Sequence, residues 1–223
     1  LHTITSDNIP VGAVSFDQVW QMPADTFFQY IPQVAGLYQY VCTPHIPNGM
    51  IGEFTVTNGS NTQTYVPDDN FENALINLGL DNILDNYVAT ASIDTVTILD
   101  VSSENIADLT GIEDFTALLE LNCSENQLSE LDVSHNTYLS TLDCSHNYLT
   151  SLNLSQNTAL TLLRCYNNQL STLDVKNGNN TYFLHIFSHF ATQNNPNLYC
   201  INVDDATWST ANWTSIDPQH YFS

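Results

Sequence analysis

LLELNCSENQL at residues 118–128, LSTLDCSHNYL at 139–149 and LTLLRCYNNQL at 160–170 repeat one pattern. The cysteines stand at positions 123, 144 and 165, which sets the period at 21 residues. Each unit reads L-x-x-L-x-C-x-x-N-x-L and is followed by a second apolar stretch. A fixed period of this length predicts stacked coils, because one coil cannot bury its apolar side alone and shares a core with its neighbours.

The residue types at the repeated positions indicate what each position does. The L-x-x-L-x-C half predicts a short strand, with strands of successive coils paired in parallel and leucine and cysteine pointing inward. Asn126, Asn147 and Asn168 are expected to close the turns by binding backbone groups through their amides. The three cysteines would serve as disulfide partners, as metal ligands or, as we prefer, as small apolar core residues.

The run of residues 65–217 resembles secreted bacterial leucine-rich-repeat proteins, both in its repeats and in the helix that precedes them. Asp69 is expected to cap that helix with Glu72 as its capping-box partner, and Gly79 to end it. Phe71, Ala74, Leu75 and Leu78 would form its apolar face. Further along, Leu184 and Ile186 lie one period after Leu163 and Cys165 and predict another strand, and residues 207–213 are expected to cover the last coil.

Side chains alternate along each strand, so the residues between the core positions form the concave face of the repeat sheet, where we expect a ligand to bind. This face is acidic near its first coils and aromatic near its last. The candidate ligand-binding residues are Asp143, Leu162, Arg164, Tyr166, Phe183, His185 and Phe187. Two alternatives stay open: the late aromatic residues pack under the C-terminal cap, and Arg164 only pairs with Asp143 on the neighbouring strand.

Residues 1–57 do not share the repeat. Their informative segment is CTPHIPNGMIG at 42–52, and alternating apolar residues at 37–41 and 51–56 predict a strand on each side of it. The spacing C-x2-H-x4-M, with GLYQYV before it and GMIG around its end, resembles the copper loop of plastocyanin-like cupredoxins. That resemblance implies a type 1 copper site made by His2, Cys42, His45 and Met50, which carries one electron at a time.

Only the C-terminal half of a cupredoxin matches, so copper binding is expected where the upstream half completes the domain. The sequence therefore predicts a mostly β protein in three parts. These are a partial cupredoxin Greek-key β-sandwich at 1–57, a linker at 58–64, and a leucine-rich-repeat solenoid at 65–223 with a parallel β-sheet, an N-terminal α-helical cap and a C-terminal cap.

The charge balance narrows the classes of partner. The 24 acidic residues face only Arg164 and Lys176, for a formal net charge of −22. Nucleic acid is excluded as a partner because no basic face exists to neutralise phosphates. No apolar run is long enough to span a bilayer. The acidic surface suits a cationic partner, or it serves solubility alone.

No catalytic motif stands out, so we expect a non-enzymatic protein that is secreted or exposed on a cell surface. Two functions compete. The first is a copper-binding electron carrier whose repeat domain contacts a redox protein. The second is a recognition or adhesion protein that binds a protein or carbohydrate on the concave face, with a vestigial copper site.

Overall fold

The computed structural model describes residues 2–20, 36–41, 51–56, 62–183 and 189–223. The chain divides into two units, residues 1–61 and 62–223. The boundary falls inside the predicted linker, because the strand Gln63–Tyr65 belongs to the second unit.

Four strands of the first unit form one antiparallel sheet. They are β1 (His2–Asn8), β2 (Asp17–Trp20), β3 (Gly36–Val41) and β4 (Ile51–Val56), in the order β2-β1-β3-β4. The strand pair predicted around residues 42–50 is confirmed, since Val41 pairs with Ile51. Tyr38 is buried and stacks on Phe54 with ring centroids 5.0 Å apart. The described part of this unit holds this single sheet, so the two-sheet cupredoxin sandwich stays a prediction.

The second unit begins with a cap that covers the first coil. It consists of β5 (Gln63–Tyr65), α1 (Asp69–Asn77), β6 (Tyr87–Ala89) and α2 (Thr90–Ile93), with β5 and β6 antiparallel. Phe71, Ala74 and Leu75 of α1 are buried as predicted. Leu78 is 51% exposed instead, because α1 ends one residue before it.

The capping residue of α1 differs from the prediction. Asp68, not Asp69, has the extended backbone of an N-cap, and its Oδ1 accepts from the backbone N–H groups of Asn70 and Phe71. Glu72 does not complete a capping box: it is buried and its Oε1 accepts from the backbone N–H groups of Asp85 and Tyr87. Gly79 ends the helix with a φ of +75°, as predicted.

The predicted parallel sheet of the coils is confirmed. Its strands are β7 (Ile98–Asp100), β8 (Glu120–Asn122), β9 (Thr141–Asp143), β11 (Leu162–Arg164) and β13 (Phe190–Ala191), neighbours in this order. The central leucine of each of the first four strands pairs with its equivalent in the next coil and is buried. Short 3₁₀ turns at Ile112–Asp114 and Asn180–Tyr182 lie between strands.

The position of the fifth strand corrects the sequence prediction. Leu163 pairs with Phe190, not with residue 184, so this coil is six residues longer than the 21-residue period. Phe190 occupies the inward position because its ring stacks on Trp213, with centroids 3.8 Å apart, and packs edge-on against Phe183. Leu184 and Ile186 lie outside the described residues.

A second parallel sheet was not predicted. It contains β10 (Ser151–Asn153), β12 (Thr172–Asp174), β14 (Cys200–Asn202) and β15 (Tyr221–Phe222), in that order. The core of the unit lies between the two sheets, where Leu152, Leu173 and Ile201 are buried. The predicted C-terminal cover is present as α3 (Ala206–Asn212) with the buried Trp213.

Candidate binding face of the repeat sheet

The concave face consists of the side chains that flank each buried central leucine of β7, β8, β9 and β11. Residues 98, 100 and 120 are exposed, and residues 122, 141, 143, 162 and 164 are partly exposed. This alternation is what the repeat predicts, because successive side chains of a strand point to opposite sides of the sheet.

A hydrogen-bonded turn fixes the polar side chain at the end of each of the first three strands. Oδ1 of Asp100, Asn122 and Asp143 accepts from the backbone N–H and the hydroxyl of the serine two residues later, with hydroxyl distances of 2.7, 2.7 and 2.6 Å. We did not predict these turns, although the recurring D/N-x-S spacing indicates them. They orient these three side chains on the concave face.

The carboxyl group of Asp100 shows the electrostatic effect of these turns. Partial burial alone would raise the pKa of Asp100, but the hydrogen bonds from Ser102 and Asn122 outweigh it and hold the pKa below its ordinary value. Asp100 is therefore a carboxylate at neutral pH.

Arg164 lies beside Asp143 on the concave face, as one of the alternatives predicts. Its Nη1 is 3.4 Å from Oδ2 of Asp143, and the Arg164 side chain is 37% exposed. This ion pair orients the guanidinium but leaves part of it at the surface. Because the pair is partly exposed, we expect it to orient the guanidinium of Arg164 and to contribute little to the free energy of unfolding.

One aromatic contact and one side-chain hydrogen bond hold the residues next to Arg164 on this face. His146 packs edge-on against Tyr166 with ring centroids 5.2 Å apart, and Asn167 Nδ2 lies 3.0 Å from Nε2 of His146. Tyr166 and Leu162 are both partly exposed. Leu162, Arg164 and Tyr166 therefore form one partly apolar surface at the β11 strand, and we call these three residues the β11 patch.

Phe183 does not belong to the concave face, which corrects its assignment as a ligand-binding residue. It is buried and contacts Phe190 and Trp213, so the alternative of packing under the C-terminal cap holds for this residue. His185 and Phe187 lie outside the described residues.

Buried cysteine and asparagine side chains lie behind this face. Cys123, Cys144 and Cys165 are free and fully buried, which agrees with their preferred assignment as core residues. Burial raises the pKa of each thiol far above its ordinary value, and the neighbouring cysteines add to the effect at Cys144. The predicted role of Asn126, Asn147 and Asn168 in the turns is confirmed, and Asn195 continues it in the last coil.

The predicted copper ligands are only in part open to structural description. Cys42, His45 and Met50 lie outside the described residues, and His2 is placed by its backbone in β1. Within the described ranges no three His, Cys, Asp or Glu side chains group as metal ligands. The same ranges contain no helix with the length and apolar character needed to cross a bilayer.

The stacked parallel strands, with leucines buried on one side of the sheet and polar side chains exposed on the other, form a leucine-rich-repeat scaffold. No protein-family model matches the chain. An 86-residue stretch, 37% of the chain, is 34% identical to Internalin J of Listeria monocytogenes and covers 9% of that relative. The chain thus spans a small part of the curated relative that it matches.

Two solved structures from Listeria monocytogenes are similar to this one. The functional domain of InlJ, described as including a cysteine ladder, is 26% identical with a TM-score of 0.48; the match covers 64% of this chain and 38% of that one. The internalin InlF is 18% identical with a TM-score of 0.46, and the match covers 74% and 59%.

Proposed function

We propose that the repeat unit is a non-catalytic recognition module that binds a protein partner on its concave face. The β11 patch carries this proposal. It combines an aliphatic, a guanidinium and a phenol side chain, and Arg and Tyr are among the residue types most enriched at the energetic centres of protein interfaces. The ion pair to Asp143 and the ring contact to His146 hold two of these side chains in place before binding, which lowers the entropy cost of association.

The acidic residues around the patch would select the partner. Asp100 and Glu120 are exposed on the same face, and the chain has a single arginine, Arg164, and a single lysine, Lys176. A partner with basic residues beside an apolar centre would complement this arrangement. We further propose that the protein acts outside the cell or at a cell surface, a location that the resemblance to internalins supports.

The test is a biosensor screen of the full chain against immobilised purified extracellular and cell-surface proteins, with a glycan array in parallel. The Arg164→Ala/Tyr166→Ala pair is compared with Lys176→Ala/Tyr199→Ala. The second pair removes the same charge and one tyrosine, from positions next to the second sheet. We expect the concave pair to weaken binding of a protein at least about thirtyfold and the control pair to leave it unchanged. Equal effects of the two pairs, or binding to glycans alone, would exclude a protein partner on this face.

Copper-dependent electron transfer is the second candidate, and the strand register of the first unit supports it. Thr5 of β1 pairs with Val41, the last residue of β3 before the segment 42–50. His2 is three residues beyond Thr5, so β1 runs about 10 Å past Val41 toward the sheet end where that segment begins. The register therefore brings the backbone of His2 to the end of the sheet at which β3 ends and β4 begins.

Copper held by a thiolate, two imidazoles and a thioether would supply a one-electron couple, and a redox protein would then be a further partner. Titration with Cu(II) tests this candidate. An intense visible thiolate band at one copper per chain, lost in the Cys42→Ser variant and kept in Cys200→Ser, would support it. If no band develops, the first unit does not bind copper in this way.

A further inference from the structure

The last nine residues pack along the final coil through backbone hydrogen bonds. The N–H of Thr192 donates to the carbonyl oxygen of Ser215 at 3.1 Å, and the N–H of Tyr221 donates to that of Tyr199 at 2.7 Å. The N–H of Ser223 donates to the carbonyl oxygen of Ile201 at 3.0 Å. We call residues 215–223 the C-terminal segment. It supplies β15, the edge strand of the second sheet.

Asn126, Asn147, Asn168 and Asn195 bind backbone groups in successive turns, and we call them the asparagine ladder. Asp217 joins the C-terminal segment to the last of them, Asn195. Its Oδ1 accepts from the backbone N–H of Asn194 at 3.0 Å, and its Oδ2 accepts from that of Asn195 at 2.9 Å. The side chain of Asn195 in turn donates to the carbonyl oxygen of Cys165 and accepts from the N–H of Leu170, both at 3.0 Å. Attachment of the segment is thereby coupled to the last turn of the solenoid.

His220 lies beneath this attachment with a fully buried side chain. Its Nδ1 is 3.3 Å from the backbone nitrogen of Asp217 and 3.2 Å from the hydroxyl of Thr192. A backbone N–H can only donate, so Nδ1 must be an unprotonated acceptor and the proton of the neutral ring is on Nε2. Nε2 lies 3.5 Å from Oδ2 of Asp217.

The surroundings of the ring decide what a second proton would do. Among the described residues the charged group that faces it is Asp217, on the same segment; Thr192 and Asn195, on the coil, are neutral. A proton on Nδ1 would point at the N–H of Asp217, placing two donors together and breaking one hydrogen bond. It would also put a positive charge on a side chain that is fully buried.

We propose that the C-terminal segment is an acid-sensitive closure of the solenoid, which detaches from the last coil when Nδ1 of His220 is protonated. Detachment would uncover the edge of β14 and the rings of Phe190 and Trp213, against which Phe222 packs at 6.5 and 5.5 Å. The chain would then present an apolar surface in acid that it hides at neutral pH.

The direction of the pH effect follows from the ring's environment. Burial lowers the pKa of His220 below 6.5, although the Asn195 backbone and the Asp217 carboxylate act in the opposite sense. The attached segment therefore holds the neutral ring. The neutral ring stabilises the attached segment fully above the unfolded-state pKa of about 6.5. This stabilisation is lost as the pH falls below that value.

Hydrogen exchange followed by mass spectrometry tests the proposal on the full chain. Protection of residues 215–223, corrected for the intrinsic exchange rate, should fall at least about tenfold between about pH 7.5 and about pH 5, while residues 139–149 stay protected. His220→Asn offers an amide oxygen near the Nδ1 position and cannot titrate there, so it should abolish the pH dependence. His135→Asn, which changes an exposed histidine, should retain it.

Two results would overturn the proposal: the wild-type segment keeps its protection in acid, or His220→Asn loses protection in acid as the wild type does. If His220→Asn fails to fold, NMR titration of the imidazole nitrogens in the wild-type chain replaces it. Protonation of His220 in step with loss of segment protection supports the proposal, and protonation with the segment still protected contradicts it.

Discussion

Nδ2 of Asn147 donates to the carbonyl oxygen of Cys123, in the preceding coil, at 3.0 Å. Oδ1 of the same amide accepts from the N–H of Leu128, also in the preceding coil, at 3.0 Å. The same pair of bonds recurs from Asn168 and from Asn195. Each amide is buried and satisfies backbone groups that no strand pairing reaches, so the ladder joins each coil to the one before it.

Replacement of Asn147 by alanine should therefore destabilise the repeat unit strongly. It leaves the buried N–H of Leu128 without a partner, at about 1–3 kcal/mol. It also removes one of the two amide donors to the carbonyl oxygen of Cys123, at about 0.5–1.5 kcal/mol, because Asn126 donates to the same oxygen. We expect urea unfolding, followed by circular dichroism, to show a loss of about 1.5–4.5 kcal/mol. Gln127 is exposed and precedes Leu128 in the chain, and Gln127→Ala should change the free energy of unfolding by less than about 0.5 kcal/mol. Similar losses for the two variants would mean that the ladder bonds do not hold the coils together.

The cap provides a second test, because one carboxylate binds four backbone N–H groups. Oδ1 of Asp68 accepts from residues 70 and 71 of α1, and its Oδ2 accepts from Ala107 and Asp108 of the first coil at 2.8 and 3.0 Å. Asp68→Ala should cost about 2–4 kcal/mol, more than an ordinary N-cap. Asp69→Ala changes the adjacent exposed carboxylate and should cost well under 1 kcal/mol. Thermal and urea unfolding distinguish the two, and a larger loss for Asp69→Ala would contradict this assignment of the cap.

The sequence predicted most where one physical requirement repeats. Every coil must bury its leucine and bind orphaned backbone groups in its turn, so periodicity alone predicted the parallel strands and the role of Asn147. Periodicity failed where packing between segments distant in sequence decides which residue occupies a core position. Leu184 and Phe190 are both apolar candidates for the fifth strand, and the stacking of Phe190 on Trp213 selects the second.

The same limit explains the errors in the cap and the candidate site. Asp68 and Asp69 are identical residues in sequence, and contact with Ala107 and Asp108, almost 40 residues away, separates their roles. Phe183 was assigned to the concave face because the 21-residue period was extended through a longer coil. The strands of the second sheet have two or three residues each, too few for alternation to be recognised.

Thiol reactivity should follow burial. Because Cys123, Cys144 and Cys165 are enclosed and burial raises their pKa, we expect iodoacetamide at mildly alkaline pH to leave them unmodified in the native protein. Cys200 is partly exposed and should be alkylated. Peptide mass spectrometry measures each site separately, and denaturation in guanidinium should make the three buried thiols reactive. Rapid alkylation of Cys144 in the native state would show that the core of the repeat unit opens.

Hydroxyl-radical footprinting of the chain, with and without a protein partner identified in the binding screen, would show whether that partner binds the concave face at the β11 patch. Tyr166 and Leu162 are partly exposed and should lose reactivity in the complex, whereas Tyr199, 58% exposed beside the second sheet, should keep it. Unchanged reactivity of Tyr166 together with protection of Tyr199 would place the partner beside the second sheet and contradict binding at the β11 patch.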